Sequence, residues 1–221
     1  MKNIRAILFD LDGTLLNTMR FVQNAVHLTL DHFSIPRPAS EDFFPLMNKA
    51  ANSMCVYARN YRPGMTDEQY WSVDHAMQQK SLHLCELYEG VDQLLKTLYM
   101  HGIPLAIVTN RTNKTSVRSL ELSGIDHYFS TILSVEDVED PWTQFKPHPR
   151  LLEIALERLG INSQNACIVG DTHSDIQAGK NAGVKTVGAT YGFQGKSLVD
   201  HNPDHLIHAP LELLPLLGLQ P

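Results

Sequence analysis

The chain has 221 residues, 43% hydrophobic and 19% charged, with 18 Lys and Arg against 24 Asp and Glu, a formal charge of −6. A mildly acidic chain without a basic cluster argues against nucleic acid or an anionic membrane as the main partner. No apolar run approaches the roughly 20 residues that span a bilayer. The opening residues, MKNIRAILFD, run straight into a strand pattern and carry no cleavable signal. Cys55, Cys85 and Cys167 are scattered, in no metal spacing, which fits reduced thiols in a cytoplasmic protein.

Ile4, Ala6, Ile7, Leu8 and Phe9 form an apolar run that stops at Asp10. Such a run reads as a buried parallel strand. Beyond Thr14 the pattern turns helical. Asn17 or Thr18 caps a helix carrying Phe21, Ala25, Leu28 and Phe33, which Pro36 and Pro38 end. Ser40 caps a short segment with Phe43, Phe44 and Met47; Asn52 opens a third through Cys55, Val56 and Ala58. Thr66 followed by Gln69 is a capping box, and its helix carries Tyr70, Val73, Met77, Leu84 and Leu87. Four helices without strands predict a small bundle inserted after the first strand.

From Val91 strand and helix alternate. Helices are expected over 91–101, 113–123, 148–159 and 174–182, each followed by a Gly suited to a left-handed cap. Strands are expected over 103–108, 130–135, 166–169, 184–188 and 205–207, with a last helix from Pro210. Repeated β-α units predict an α/β fold: a Rossmann-like three-layer core with a mostly parallel sheet, plus an inserted all-helical cap. The core is assigned residues 1–15 and 89–221, and the cap 16–88.

In this arrangement four loops arrive at one edge of the sheet, where open α/β sheets place their ligands. They bring Asp10 and Asp12, Thr109 and Asn110, Lys146, and Asp171 with Asp175. Carboxylates, one ammonium and one hydroxyl are what phosphoryl transfer needs. A hard cation takes carboxylate oxygens and bridges to phosphate, and an Asp attacks phosphorus to form an acyl phosphate. A second carboxyl group moves the proton, and Lys and Thr hold the non-bridging oxygens. Each motif alone has a bland reading: an acidic turn, a helix cap, a solvated lysine. Four together at four strand ends favour catalysis.

DLDGT at 10–14, IVTNR at 107–111, KPHP at 146–149, GDTHSD at 170–175 and NAGVKTVGATYGF at 181–193 together resemble the haloacid-dehalogenase-like hydrolases, in their phosphoglycolate-phosphatase-like branch. The resemblance covers nearly the whole core; within the cap it is architectural. It implies Asp10 as nucleophile and Asp12 as general acid/base. It further implies Mg²⁺ held by Asp10, the backbone carbonyl of Asp12 and Asp171, with Asp175 orienting Lys146 or the metal's surroundings. Thr109, Asn110 and Lys146 would bind the phosphoryl group. Two departures stand out: Asn17 where many relatives have Asp, and a cap stretch, LMNKAANSM at 46–54, without the usual Gly-rich turn.

The expected activity is a Mg²⁺-dependent phosphatase of a small phosphorylated metabolite, a phosphate monoester of phosphoglycolate-like or sugar-phosphate type, working as monomer or homodimer. The alternatives are a phosphoglucomutase-like phosphotransferase and a non-catalytic phosphate-sensing module of the same fold. Discrimination among substrates would fall to the cap, where Lys49, flanked by Asn48 and Asn52, suits a second anionic group or is a solvated lysine.

Overall fold

The computed structural model describes residues 1, 3–47, 53–141 and 143–220, with Met47 described by its backbone alone. It divides into two compact units, Met1–Asn17 with Glu86–Pro221, and Thr18–Cys85. In chain order the elements are β1 (Ala6–Phe9), β2 (Leu16–Asn17), α1 (Met19–His32), α2 (Ser40–Met47), α3 (Ser53–Tyr61), α4 (Asp67–Ser81) and β3 (Glu86–Leu87). There follow α5 (Val91–Met100), β4 (Leu105–Val108), α6 (Asn113–Leu122), β5 (Thr131–Leu133), α7 (Arg150–Leu159) and β6 (Ala166–Gly170). The chain closes with α8 (His173–Ala182), β7 (Lys185–Ala189), β8 (His205–Ile207) and α9 (Leu213–Leu217).

Six strands form one sheet in the order β5-β4-β1-β6-β7-β8, every pairing parallel. β1, β4 and β6 are buried at every position, so both faces of the sheet are covered, as parallel sheets require. The strand period of two sorts the apolar residues. Ala6 and Leu8 of β1, Ala106 and Val108 of β4, and Ala166 and Ile168 of β6 share one cluster with Leu151, Leu152 and Ala155 of α7 and Ala178 of α8. The order reverses on either side of β1, which pairs with β4 and with β6. That places the switch point of the topology at the C-terminal end of β1. The α/β architecture expected from the sequence is the one observed. Cys167 is a core residue on β6, and burial pushes its thiol up to about 12.

A two-stranded antiparallel ribbon, β2 with β3, pairs Leu16 with Leu87 and Asn17 with Glu86. Two residues per strand leave no periodicity to read, so the sequence pattern runs the helical segment straight through them. The ribbon joins the sheet unit, and the helical unit begins at Thr18.

Within the helical unit, α1 and α4 pack against each other, and Val26, Leu30, Phe43, Met54, Cys55 and Tyr70 are among its buried core. The Thr66–Gln69 capping box is present: Gln69 N–H donates to Thr66 Oγ1 at 3.2 Å and Thr66 N–H to Gln69 Oε1 at 3.0 Å. The stripe expected on this helix is corrected in part. Val73 and Met77 are only half-buried, and Leu84 and Leu87 lie beyond its end. The buried face is instead Tyr70, Asp74 and Ser81, with Asp74 accepting from Thr29 Oγ1 and Gln78 Nε2. Thr18 occupies the cap position of α1 but makes no side-chain cap bond. The cap turn around Lys49, and the start of the third helix at Asn52, lie outside the described residues. No described helix is long and apolar enough to cross a membrane.

α8 reaches the sheet through a residue without a side chain. A Cβ on Gly179 would meet Ile168 Cγ2 and Thr186 Cγ2, each at 2.6 Å, and both neighbours are β-branched side chains on strands. Gly179→Ala is therefore expected to lower stability by about 1–3 kcal/mol through overpacking, despite alanine's better helix propensity. A fall in the urea midpoint at unchanged m-value checks it; equal or greater stability would show that α8 can lift off the sheet at no cost.

Candidate active site

The carboxylates cluster where β1 and β6 end. Asp10 follows four fully buried residues, and its N–H donates to Val169 O across to β6 at 2.9 Å. Gly13, at φ 84°, then reverses the chain, and its N–H reaches Leu16 O at 2.8 Å. Only glycine takes that conformation without strain. A side-chain carbon at Gly13 would also overlap the carboxylate of Asp171. Gly192 faces Asp171 in the same way, and Gly170 faces Asp175. Three bare backbone positions thus leave room for two carboxylates to lie against the loops.

Lys146 sits at the centre, 2% exposed. Its Nζ donates to Asp10 Oδ1 and to Asp175 Oδ1, both at 2.6 Å. Asn110 holds the backbone of the same residue from two sides: its Nδ2 donates to Lys146 O at 3.0 Å, and its Oδ1 accepts from Lys146 N–H at 2.9 Å. The Lys146–Pro147 bond is cis. Asp175 spends its other oxygen on the start of α8, accepting from Thr172 N–H at 3.0 Å and Thr172 Oγ1 at 2.6 Å, a cap for that helix. Asp171 accepts from Thr14 Oγ1 at 3.1 Å and from Phe193 N–H at 2.6 Å. Tyr191 OH in turn donates to Thr14 O at 3.0 Å.

Asp12 stands apart from this group. Its Oδ1 accepts from Arg111 Nη1 at 3.0 Å. Arg111 is itself tied to the first turn of α6, donating from Nε to Thr115 Oγ1 at 3.1 Å and from Nη2 to Thr115 O at 3.2 Å. Thr109 is 2% exposed, and its hydroxyl accepts from Arg111 N–H at 3.2 Å.

Oxygens of Asp10, Asp171 and Asp175 lie within 4.8 Å of one another. Against three buried carboxylates stands one ammonium, a local charge of −3 + 1 = −2. Burial, then repulsion from Asp175 and Asp12, outweighs the attraction of Lys146 and raises Asp10 from the usual 3.8 to about 7. Burial and the charges of Asp10 and Asp175 push Asp171 well up also. Burial alone would lower Lys146, but Asp10 and Asp175 overcome it and hold the ammonium charged above its ordinary range. A divalent cation would cancel the excess, and an all-carboxylate donor set suits Mg²⁺. The residues present fit the metal.

Of the residues singled out in the sequence, the structure brings Asp10, Lys146, Asp171 and Asp175 into one cluster, with Thr109 and Asp12 at the ends of neighbouring elements. The Asn110 side chain is turned to Lys146 rather than outward. Asp12's carboxylate faces Arg111 and is outside the three-carboxylate group. Lys49 lies outside the described residues. Sequence reasoning assigned no part to Arg111, Thr14 or the Gly192–Phe193 turn, although each falls inside a motif it quoted. Their partners are 99, 157 and 22 residues away, and nothing local signals such pairings.

A family profile for haloacid dehalogenase-like hydrolases matches residues 7–189. The chain belongs to that family. Among curated relatives, the pyrophosphatase PpaX of Halalkalibacterium halodurans is 33% identical over 218 residues, covering 98% of both chains. PpaX of Bacillus velezensis is 33% identical over 220 residues, covering 99% of both. Among solved structures, a predicted phosphoglycolate phosphatase from Haemophilus somnus superposes with a TM-score of 0.83 at 25% identity. That match covers 98% of this chain and 99% of the other. The haloacid dehalogenase-like core is thus shared over almost its full length.

The excess negative charge sets a pH dependence. Between 3.8 and about 7 the folded chain keeps a proton on Asp10 that the unfolded chain has lost, so stability falls as pH rises through that window. Metal-free protein is expected to melt at a lower temperature at pH 8 than at pH 5, and Mg²⁺ at pH 8 should restore the difference. Asp10→Asn should flatten the slope. Thermal unfolding in EDTA and in Mg²⁺ measures both; a slope unchanged in Asp10→Asn would place its origin elsewhere.

Proposed function

We propose that this protein is a Mg²⁺-dependent phosphatase that hydrolyses a small phosphorylated metabolite through a phosphorylated Asp10. The observation that carries the reading is Lys146, buried and held at 2.6 Å from both Asp10 and Asp175. A buried ammonium bridging two carboxylates beside a third is a costly arrangement, and perturbed charges of this kind concentrate at functional sites.

Asp10, Asp171 and the backbone carbonyl of Asp12 would hold Mg²⁺, with Asp175 orienting Lys146. When bound, the metal supplies positive charge to the phosphoryl oxygens and offsets the repulsion between an anionic nucleophile and an anionic substrate. Lys146 and the hydroxyl of Thr109 bind the non-bridging oxygens. Asn110 fixes the backbone from which Lys146 projects. An oxygen of Asp10 forms a bond to phosphorus while the bond to the leaving oxygen breaks, its electron pair departing with that oxygen. Asp12 gives the leaving oxygen a proton, then takes one from the water that opens the acyl phosphate. Asp171 is kept in place by Thr14 and by the N–H of Phe193.

The substrate reading remains a phosphate monoester of phosphoglycolate-like or sugar-phosphate type, in line with the Haemophilus somnus neighbour's name. Pyrophosphate is a second reading, favoured by 33% identity to PpaX enzymes over nearly the full chain. Phosphate release from a panel containing pyrophosphate, 2-phosphoglycolate, sugar phosphates and p-nitrophenyl phosphate separates them.

Asp10→Asn keeps the shape of the side chain but removes the attacking charge, and is expected to fold and to lose turnover. Activity within tenfold of the parent on every member of the panel would sink Asp10 as nucleophile. Mg²⁺ should activate, and Ca²⁺, which takes more ligands at longer distance and can engage both oxygens of Asp10, should inhibit. Full activity with Ca²⁺ alone would remove the metal argument.

A further inference from the structure

Arg111 belongs to no group assigned so far, yet among the described residues it is, with Lys146, a buried cation, 8% exposed. Two sides of its guanidinium are fixed to the first turn of α6, at Thr115 Oγ1 and Thr115 O, and a third points at Asp12 Oδ1. Its own N–H donates to Thr109 Oγ1, so its backbone and the phosphate-side hydroxyl are built as one piece. A planar fork anchored in this way is a fixed post, unlike a lysine on its flexible stem. Asp12 is the adjustable partner: its side chain is 21% exposed against 6% for Arg111, and it stands at the start of the Gly13 reversal.

From this geometry we infer that Arg111 is the positioning residue for Asp12. It holds Oδ1 so that the carboxyl plane is set and Oδ2 is left to face the leaving oxygen. The inference rests on the phosphatase reading above and adds to it the residue through which the proton-transfer group is oriented. Arg111 touches no reacting atom. Its contribution is angular, and proton transfer fails when a carboxyl group rotates out of hydrogen-bond reach of the oxygen it serves. The consequence is specific. Leaving groups that depart unprotonated should not need Arg111, whereas poor ones should.

Arg111→Met keeps most of the stem and removes every donor. Thr115 Oγ1 retains Thr112 as a partner, so α6 keeps its first turn. The test follows acyl-phosphate formation by rapid quench over a series from 2,4-dinitrophenyl phosphate to an alkyl phosphate. The parent should show a shallow dependence on leaving-group acidity and the variant a steep one. The loss should be below threefold at the dinitrophenyl end and about ten- to a hundredfold at the alkyl end, within the ~100- to 10,000-fold that general acid–base assistance supplies in full. KM should stay within about twofold throughout. In an Asp12→Asn background the same substitution should change the rate less than twofold, because the group it orients has gone.

Arg111→Lys, which keeps the charge but cannot serve Thr115 and Asp12 together, should fall between the two and carries the test if the Met variant does not fold. A uniform loss across the series, a loss confined to KM, or multiplying losses in the double variant would overturn the role of Arg111. A parent protein that releases phosphate from no substrate would overturn the phosphatase reading instead.

Discussion

One ammonium among three buried carboxylates is the constraint on which this molecule is arranged. Taking a single carboxylate out of water costs several kcal/mol, and here Asp10, Asp171 and Asp175 meet at the edge of a dry sheet around Lys146. Removing the ammonium from such a group would leave its carboxylate partners buried without a counter-charge. The surroundings therefore keep every member fixed: Asn110 clamps the Lys146 backbone, Thr172 satisfies the far oxygen of Asp175, and Thr14 and Phe193 hold Asp171. Together they hold three carboxyl groups and one ammonium in fixed positions.

The sheet's part is to bring distant loops to one edge. β1 lies between β4 and β6, so the residues that follow those three strands, Asp10, Thr109 and Asp171, become neighbours although the chain between them is long. Burial on both faces makes β1 rigid, and rigidity places its terminal carboxylate to within hydrogen-bonding tolerance of Lys146. The glycines at 13, 170 and 192 perform a complementary task. They withhold side chains where carboxylates must approach the backbone, so the site is shaped by what is missing as well as by what is present.

Arg111 and Asp12 form a second charge pair beside the first, and the two behave differently. Lys146 joins two carboxylates and is shut away from solvent, whereas Arg111 is braced against α6 and offers one edge to a half-buried carboxylate. The first pair is closed to solvent on both sides, whereas the second keeps its carboxylate partly exposed. Separate cations thus engage Asp10 and Asp12, though the two are two residues apart.

Much of this was legible in the chain as a string of residues. The apolar runs ending at Asp10, Thr109 and Asp171, the glycines closing α7 and α8, and the Thr66–Gln69 box are local signals, and local physics decides them: burial periodicity, left-handed caps and backbone donors in search of acceptors. The motifs DLDGT, KPHP and GDTHSD pointed to the charged cluster because they occur together, each alone having a bland reading. The tertiary structure alone decided the rest. The β2–β3 ribbon is too short to leave a pattern. The buried face of α4 includes Asp74 because Thr29 and Gln78 satisfy it, which no hydrophobic period foretells. Asn110 turns to Lys146, and Arg111 reaches Asp12, across 36 and 99 residues of sequence. A hydrogen bond between side chains so far apart depends on strand order and register, and those are settled only when the whole sheet has been assembled.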